Sequence, residues 1–357
     1  MIPRKMTAVL LRGHGGYEQL EYRDDVRVPV PAPGEVLVKV GAAGVNNTDI
    51  NTRIGWYSKS VTDATAAAAA HDESKADDAG WTGVPFAFPR IQGADACGRI
   101  VAVGTGVDAT RIGERVIVDP VLRPEQGSLR DVAYLGADRD GAYAEFATVP
   151  AANAHAITSP LSDVELASFP CACSAAENML ARAAVAVGET VLVTGASGGV
   201  GSAAVQLARR RGARVVAVAG LAKAAEIKLL GADRVLARDA DLIAQLGREC
   251  IDVVVDVVGG AHFPSLLEVL RRGGRYAVAG AIAGPIVELD LRTLYLKDLR
   301  LLGCTVTAPE VFANLVRYIE RGEVRPLVSA TYPLADIADA QAAFLKKAHS
   351  GKIVLLT

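Results

Sequence analysis

The sequence predicts an α/β protein in two parts, a β-rich part built from both ends of the chain and a doubly wound parallel sheet between them. Three observations carry that prediction. Over the first 160 residues, short alternating or apolar runs are cut by Gly and Pro, the pattern of strands joined by turns. From about residue 161, continuous apolar runs alternate with helical patterns, as strands covered on both faces by helices do. Residues 306 to 357 then end in one more strand-like run, "KIVLLT", expected to pack back on the first part. The expected divisions are therefore 1–160, 161–305 and 306–357.

The elements follow in order. "EVLVKV", "CGRIVAVG", "RVIVD" and "YAEFATVP" are the strands of the first part. Residues 58 to 83, "SKSVTDATAAAAAHDESKADDAGWTG", interrupt them with five consecutive alanines. That stretch reads as a solvated insertion, either a loop or a short helix capped near Asp63 or Thr65, and its place leaves a lid role open. "DVELASFPCACSAAENMLARA" has helical character, with Pro170 bending or dividing it. Strand and helix then alternate through "TVLVTG", "GSAAVQLARRRG", "RVVAVAG", "KAAEIKLLG", "IDVVVDVVGG", "FPSLLEVLRRGG" and "RYAVAG", and "LRLLGCT" closes the block. The tail holds a helix, "PEVFANLVRYIERG", an amphipathic stretch, "ADIADAQAAFLKKA", and the last strand.

Composition narrows the function. The net charge of −2 argues against nucleic-acid or membrane-surface binding, which usually needs a basic excess. No apolar run approaches the roughly 18 residues of a membrane span, and "AVLL" after the basic N-terminus is too short for a secretory signal. Five cysteines, only two of them close together, do not make a disulfide framework. A cytoplasmic globular protein is expected. The five histidines have no ligand spacing.

"TVLVTGASGGVGSAAVQLARRRGARVVAVAG" carries the chemistry. A buried strand runs into Gly195-Ala-Ser197-Gly198-Gly199-Val200-Gly201, which opens a helix, and a second strand follows. Glycines at 195, 198 and 201 let the backbone approach a pyrophosphate, and the helix start supplies N–H groups and a positive dipole end. The second strand ends Val218-Ala-Gly220-Leu-Ala-Lys223. A 2′-hydroxyl is usually held there by a carboxylate, and none stands before Glu226. The missing acid and the nearby Lys223 predict NADPH. The carboxyl ends of the later strands add cofactor contacts by position: Val257, Val258 and Gly259, then Gly280, Ala281 and Ile282, then Gly303, Cys304 and Thr305.

The chain resembles the medium-chain dehydrogenase/reductase superfamily, in particular its zinc-independent quinone oxidoreductase branch. "PAPGEVLVKVGAAGVNNTD", "IQGADACGRIVAVGTGV", "DGAYAEFATVP", "VLVTGASGGVGSAAVQLA", "DVVVDVVGG" and the closing "SGKIVLL" carry the resemblance. It implies a GroES-like β-barrel catalytic domain, a Rossmann domain, and an active site where nicotinamide meets the barrel. Zinc-dependent members place ligands at the positions matching Asn46, Ala94 and Cys171, followed by a Glu where Asp95 stands. Neither alanine nor a neutral amide is a useful zinc ligand, so no metal is expected.

Without a Lewis acid, hydride addition to a conjugated acceptor is easier than carbonyl reduction, because charge spreads to a distant oxygen. The resemblance therefore implies NADPH-dependent reduction of a quinone or an α,β-unsaturated carbonyl compound. Asn46 matches an Asn facing nicotinamide and substrate in quinone reductases, and is otherwise a turn amide. Thr48 matches a proton-relaying hydroxyl, and is otherwise a helix N-cap. Asp49 is read as capping that turn. Trp56 and Tyr57 line an apolar substrate pocket or plug the space beneath the insertion, with the Tyr57 hydroxyl a further donor. Asp95 is placed in the same pocket. That branch usually has Tyr where Asn51 stands and Thr near Ala175, leaving Ser174 or Asn178 for the carboxamide. Alternatives are an enoyl-thioester reductase, a zinc-free alcohol or aldehyde reductase, and a non-catalytic NADPH-binding protein. The resemblance also implies a homodimer paired along the edge strand "LRLLGCTVT".

Overall fold

The structure, a computed structural model, describes residues 1–70, 78–81, 85–124 and 131–357. Parts of the alanine-rich insertion, 71–77 and 82–83, lie outside the described residues, and its proposed lid role with them. The chain forms two compact units. One holds Met1–Val61, Ala67–Cys171 and Phe312–Thr357, the other Thr62–Ala66 and Ala172–Val311.

The first unit begins with strands β1 (Lys5–Leu11), β2 (Leu20–Arg27) and β3 (Glu35–Gly44). Helix α1 (Asn47–Arg53) follows directly, then a single turn, α2 (Thr65–Ala68). Next come β4 (Arg90–Ile91), β5 (Cys97–Val103), β6 (Arg115–Val118), β7 (Val121–Leu122), β8 (Ala133–Tyr134), β9 (Phe146–Pro150) and β10 (Ala154–Ala156). The helical stretch ahead of the nucleotide loop is divided at its proline into α3 (Asp163–Leu166) and α4 (Pro170–Arg182), since a proline ring fits a helix start but not its interior. The unit runs on to Cys171 because α3 packs against β3 and β5.

The second unit contains β11 (Thr190–Val193), α5 (Gly199–Arg210), β12 (Arg214–Val218), α6 (Ala224–Leu229), β13 (Arg234–Leu236), α7 (Leu242–Leu246), β14 (Ile251–Asp256), α8 (Phe263–Val269), β15 (Leu270–Val278), α9 (Leu291–Leu296) and β16 (Arg300–Gly303). All its strand pairings are parallel. Their order, β13-β12-β11-β14-β15-β16, is the doubly wound dinucleotide order with its switch point between β11 and β14. Val253, Val254 and Val255 in β14 are all fully buried, as a central strand covered on both faces requires. Helix α8 is shorter than its sequence pattern suggests. It ends at Val269, and "LRR" already belongs to β15, which pairs Leu270 with Ile251.

The chain returns through α10 (Pro309–Glu320), β17 (Val328–Pro333), α11 (Ile337–Leu345) and β18 (Lys352–Leu356). Phe312 packs on His155, with ring centroids 4.8 Å apart. β18 inserts between β17 and β3 in the order β10-β6-β5-β3-β18-β17, with β9 also on β3. Val354 of β18 faces Gly44 in β3, which brings the C-terminal strand to the start of α1. No helix among the described residues is long and apolar enough to cross a membrane.

Candidate functional site

Strand β3 is buried along its last residues and hands the chain to α1. Asn46 is the N-cap, in extended conformation at φ −126°, ψ 159°. Asp49, at the third helical position, accepts from the Asn46 backbone N–H at 2.8 Å, one half of a capping box. Its carboxylate also accepts from the Tyr143 hydroxyl at 2.8 Å and the Gly93 N–H at 3.3 Å. Burial still dominates and pushes Asp49 up to about 6, against the bonds from Tyr143 and Asn46. Thr48 is therefore inside the first turn rather than at its cap.

The Asn46 side chain has no amide hydrogen to spare for a substrate. Its Nδ2 donates to Asp95 Oδ2 at 2.8 Å and to the Gly44 carbonyl at 3.3 Å. Its Oδ1 accepts from the ammonium of Lys352. That ammonium also donates to Asp95 Oδ2 at 2.7 Å and to the Val45 carbonyl at 3.0 Å. Asp95 Oδ1 takes the Cys171 backbone N–H at 2.6 Å. Asp95 is fully buried and Lys352 is 4% exposed. Asp95, expected to line the substrate pocket, instead carries the buried charge that holds Lys352 and Asn46 behind it.

This donor set does not fit zinc. The cation among these oxygens is already an ammonium. Ala94 offers no donor atom, and the Asn46 carbonyl oxygen is bonded to Lys352. Cys171 lies beside these groups, and burial, then the negative charge of Asp95, push its thiol up to about 12. Among the described residues no group of three or more His, Cys, Asp or Glu is placed to hold a metal ion.

Hydroxyl groups cluster beside this core. Tyr57 donates to Thr48 Oγ1 at 3.0 Å. Burial raises Tyr57 to about 12, against its hydrogen bonds with Thr48 and Asn51, so it is a neutral donor at physiological pH. Trp56 is buried and meets the Tyr57 ring edge-on, with centroids 5.9 Å apart, which makes it a wall for Tyr57. Tyr134 contacts Cys171 Sγ at 3.1 Å and is stacked on Trp81, with centroids 4.7 Å apart.

In the second unit, the carboxyl ends of β11, β14 and β15 converge. Gly195 has φ +56°, a left-handed conformation glycine adopts without strain, and Val257 and Val258 face it. A Cβ on Gly201 would lie 2.2 Å from the Gly195 carbonyl oxygen, whereas one on Gly198 would have nothing nearer than 3.5 Å. Gly198 caps α5 without any side-chain bond, so the first turn of α5 opens without a side chain across it. Gly199 and Val200 lie in this turn, and Ser197 in the loop just before its cap. Asp256 ties the loop from beneath, accepting from Thr194, Tyr276 and the N–H groups of Val258 and Gly259. Gly280 lies over the Val257 carbonyl, and Gly259 against Ala281. The Ile282 carbonyl accepts the Thr65 N–H at 3.1 Å. Gly303 has open space where a side chain would stand, and Thr305 is exposed. Cys304 is buried, with its thiol on the Leu302 carbonyl. Ser174 and Asn178 are also buried, and Asn178 bonds the Val306 carbonyl.

Lys223 follows β12 in a short turn, half-buried, and Arg238 lies near it. The Arg238 guanidinium also lies 3.8 Å from the position a Gly220 Cβ would take. Arg238 was not evident from sequence, because it comes from beyond the next strand. Lys352 was missed differently. It opens an apolar strand, where a lysine is ordinarily exposed, and its partners lie far away in the chain.

Comparison with known proteins gives the same outline. Residues 32–159 match the family described as alcohol dehydrogenase GroES-like domain, and residues 199–321 that described as zinc-binding dehydrogenase. Acryloyl-coenzyme A reductase of Metallosphaera sedula is 32% identical, over 99% of this chain and 100% of its own. Human quinone oxidoreductase is 29% identical, over 98% of each. A crystal structure from Sinorhizobium meliloti 1021, of an alcohol dehydrogenase candidate, is 50% identical over 99% of this chain and 97% of its own, with a TM-score of 0.89.

Proposed function

The chain belongs to the medium-chain dehydrogenase/reductase superfamily of oxidoreductases, and from that premise we propose that it is a zinc-free, NADPH-dependent reductase of quinones or α,β-unsaturated carbonyl compounds. The observation that carries this reading is Lys352. Its ammonium holds Asn46 and Asp95 in a closed, charge-balanced knot where metal-dependent relatives have ligands. The reaction then has hydroxyl donors and no Lewis acid, which suits an acceptor whose developing charge is delocalised.

NADPH, when bound, supplies the hydride. The open first turn of α5 would take the pyrophosphate, and Lys223 with Arg238 the 2′-phosphate. Thr48, backed by Tyr57, donates a hydrogen bond to the substrate oxygen as charge develops there. Asn46, Asp95 and Lys352 position α1 and contact neither reactant.

The test is a panel of a simple quinone, a small enone and crotonyl-CoA, each with NADPH and with NADH, alongside metal analysis of the purified protein. The reading expects NADPH oxidation by a quinone or enone, and no stoichiometric zinc. One zinc per chain, or a clear preference for NADH, overturns it. Lys223→Ala with Arg238→Ala is expected to raise KM for NADPH about tenfold or more and leave KM for NADH unchanged, as the loss of two phosphate contacts implies. A second reading, enoyl-thioester reduction, is favoured by the similarity to acryloyl-coenzyme A reductase. Turnover of crotonyl-CoA far above the quinone would select it.

The protein is further read as a homodimer. Supporting this, β16 is the edge of the parallel sheet, and Leu301 in it and Leu291, Tyr295 and Leu296 in α9 are exposed.

A further inference from the structure

Tyr134 ends the short strand β8, and its backbone and ring are both fixed. It faces Val121 across the ladder to β7. Its N–H donates to Asp138 Oδ2 at 2.8 Å, and its carbonyl accepts the N–H groups of Ala137 and Asp138. The ring lies on Trp81 with 25° between the two planes, and only 7% of the residue is exposed. A buried tyrosine hydroxyl usually finds a hydrogen-bond partner. Here that partner is a sulfur: the hydroxyl donates to Cys171 Sγ at 3.1 Å, its one hydrogen bond among the described residues. Sulfur is a weak acceptor, so most of the donor strength of this phenol is unspent.

The bonds around Cys171 place that hydroxyl close to the proposed chemistry. Cys171 lies in the first turn of α4 and is half-buried. Its N–H rests on Asp95 Oδ1 at 2.6 Å. Asp95 Oδ2 takes Asn46 Nδ2 at 2.8 Å, and Asn46 caps the helix that carries Thr48. Tyr134 and Thr48 are therefore reached from the two oxygens of one carboxylate. Asp95 is fully buried, whereas Thr48 and Cys171 are each partly exposed. The carboxylate is sealed beneath a surface that Thr48 borders on one side and Cys171, with the Tyr134 hydroxyl, on the other.

We propose that Tyr134 is a further catalytic residue, its hydroxyl resting on Cys171 Sγ until an oxyanion of the substrate displaces the sulfur and takes the hydrogen bond. The inference rests on the proposed reductase reading for its substrate, a carbonyl or quinone oxygen that gains negative charge. A hydrogen bond to an ionised oxygen is roughly twice as strong as one to a neutral acceptor. The exchange of sulfur for oxygen therefore gains most once charge has developed, which is where a donor raises kcat. The hydroxyl turns about its C–O bond while β8 and Trp81 hold the ring. No covalent bond forms or breaks at Tyr134, which keeps its proton.

The experiment uses 4-nitrophenolate as an oxyanion probe, whose colour reports its ionisation on the protein without turnover. Affinities are measured for the full chain and for Tyr134→Phe, Thr48→Val and Cys171→Ala, with thermal melting as the control for folding. Tyr22→Phe, on an exposed tyrosine of the same unit, controls for loss of a phenol hydroxyl. Tyr134→Phe keeps the ring on Trp81 and is expected to weaken binding about tenfold, the scale of one charge-assisted hydrogen bond. Thr48→Val is expected to weaken it too, which locates the probe. Cys171→Ala is expected to strengthen binding by about two- to fivefold, because the hydroxyl then has no neutral hydrogen bond to give up. A purely structural bond would instead lower melting in both Tyr134→Phe and Cys171→Ala and leave the probe unmoved. No binding by the parent, equal binding by the parent and Tyr134→Phe, or weaker binding by Cys171→Ala overturns the inference. If the probe behaves as expected yet no quinone, enone or thioester oxidises NADPH, the reductase reading falls and the oxyanion site stands. If an acceptor turns over equally well in the parent and in Tyr134→Phe, the inference falls and the reductase reading stands.

Discussion

Lys352 and Asp95 are each almost wholly buried and bonded to one another at 2.7 Å. Cutting one partner from such a pair leaves an uncompensated charge, which costs about 3–5 kcal/mol. Lys352→Met is expected to lose stability on that scale in denaturant titration. Lys352→Met with Asp95→Leu should recover part of it, though not all, because Asn46 Nδ2 and the Cys171 N–H would then lose their acceptor. Lys347 gives a pH signature of opposite kind. Its folded-state value, about 8, lies below its ordinary one. Between about pH 8 and 10.5 the unfolded chain therefore binds more protons, and this group's contribution to stability rises with pH. Denaturation midpoints across that window should show the rise in the parent protein and a flatter profile in Lys347→Met.

At the scale of elements, the glycine turn before α5 separates two kinds of need. Gly201→Ala would drive a Cβ into the Gly195 carbonyl at 2.2 Å, and is expected to destabilise the fold by about 1–3 kcal/mol or more. Gly198 has ordinary backbone angles and 3.5 Å of clearance, so Gly198→Ala should melt like the parent and lose nicotinamide-cofactor affinity only. Melting curves paired with cofactor titration distinguish the two. Most elements could be read from sequence, because their determinants are local: apolar runs for β11, β12 and β14, glycines for the turn, Pro170 for the break before α4. The helix expected over "FPSLLEVLRRGG" stops at Val269 because β15 claims Leu270 through its pairing with Ile251, and pairing between distant strands overrides local propensity.

For the whole molecule, the two-part α/β architecture and the dinucleotide order were legible, since each is a sum of local patterns. The knot behind α1 was not. Asn46 and Asp95 stand 306 and 257 residues from Lys352, and no spacing along the chain marks three groups that far apart. Assembly is open to a direct check at this scale. Leu301→Lys puts a charge on the exposed edge strand, and the proposed dimer predicts that this variant sediments as a monomer with its nicotinamide-cofactor binding intact.

The position of Lys352 also bears on how the protein is made. A ribosome delivers Asp95 long before Lys352, with the whole parallel-sheet unit synthesised in the interval. Until β18 emerges and slides between β17 and β3, the nascent first unit lacks the ammonium that Asp95 pairs with, and its central sheet stays open where β18 will lie. Nascent chains stalled just short of Lys352 should accordingly be cut by protease within residues 1–160 while their nucleotide unit resists. β18 is the strand that joins β17 to β3 in this sheet.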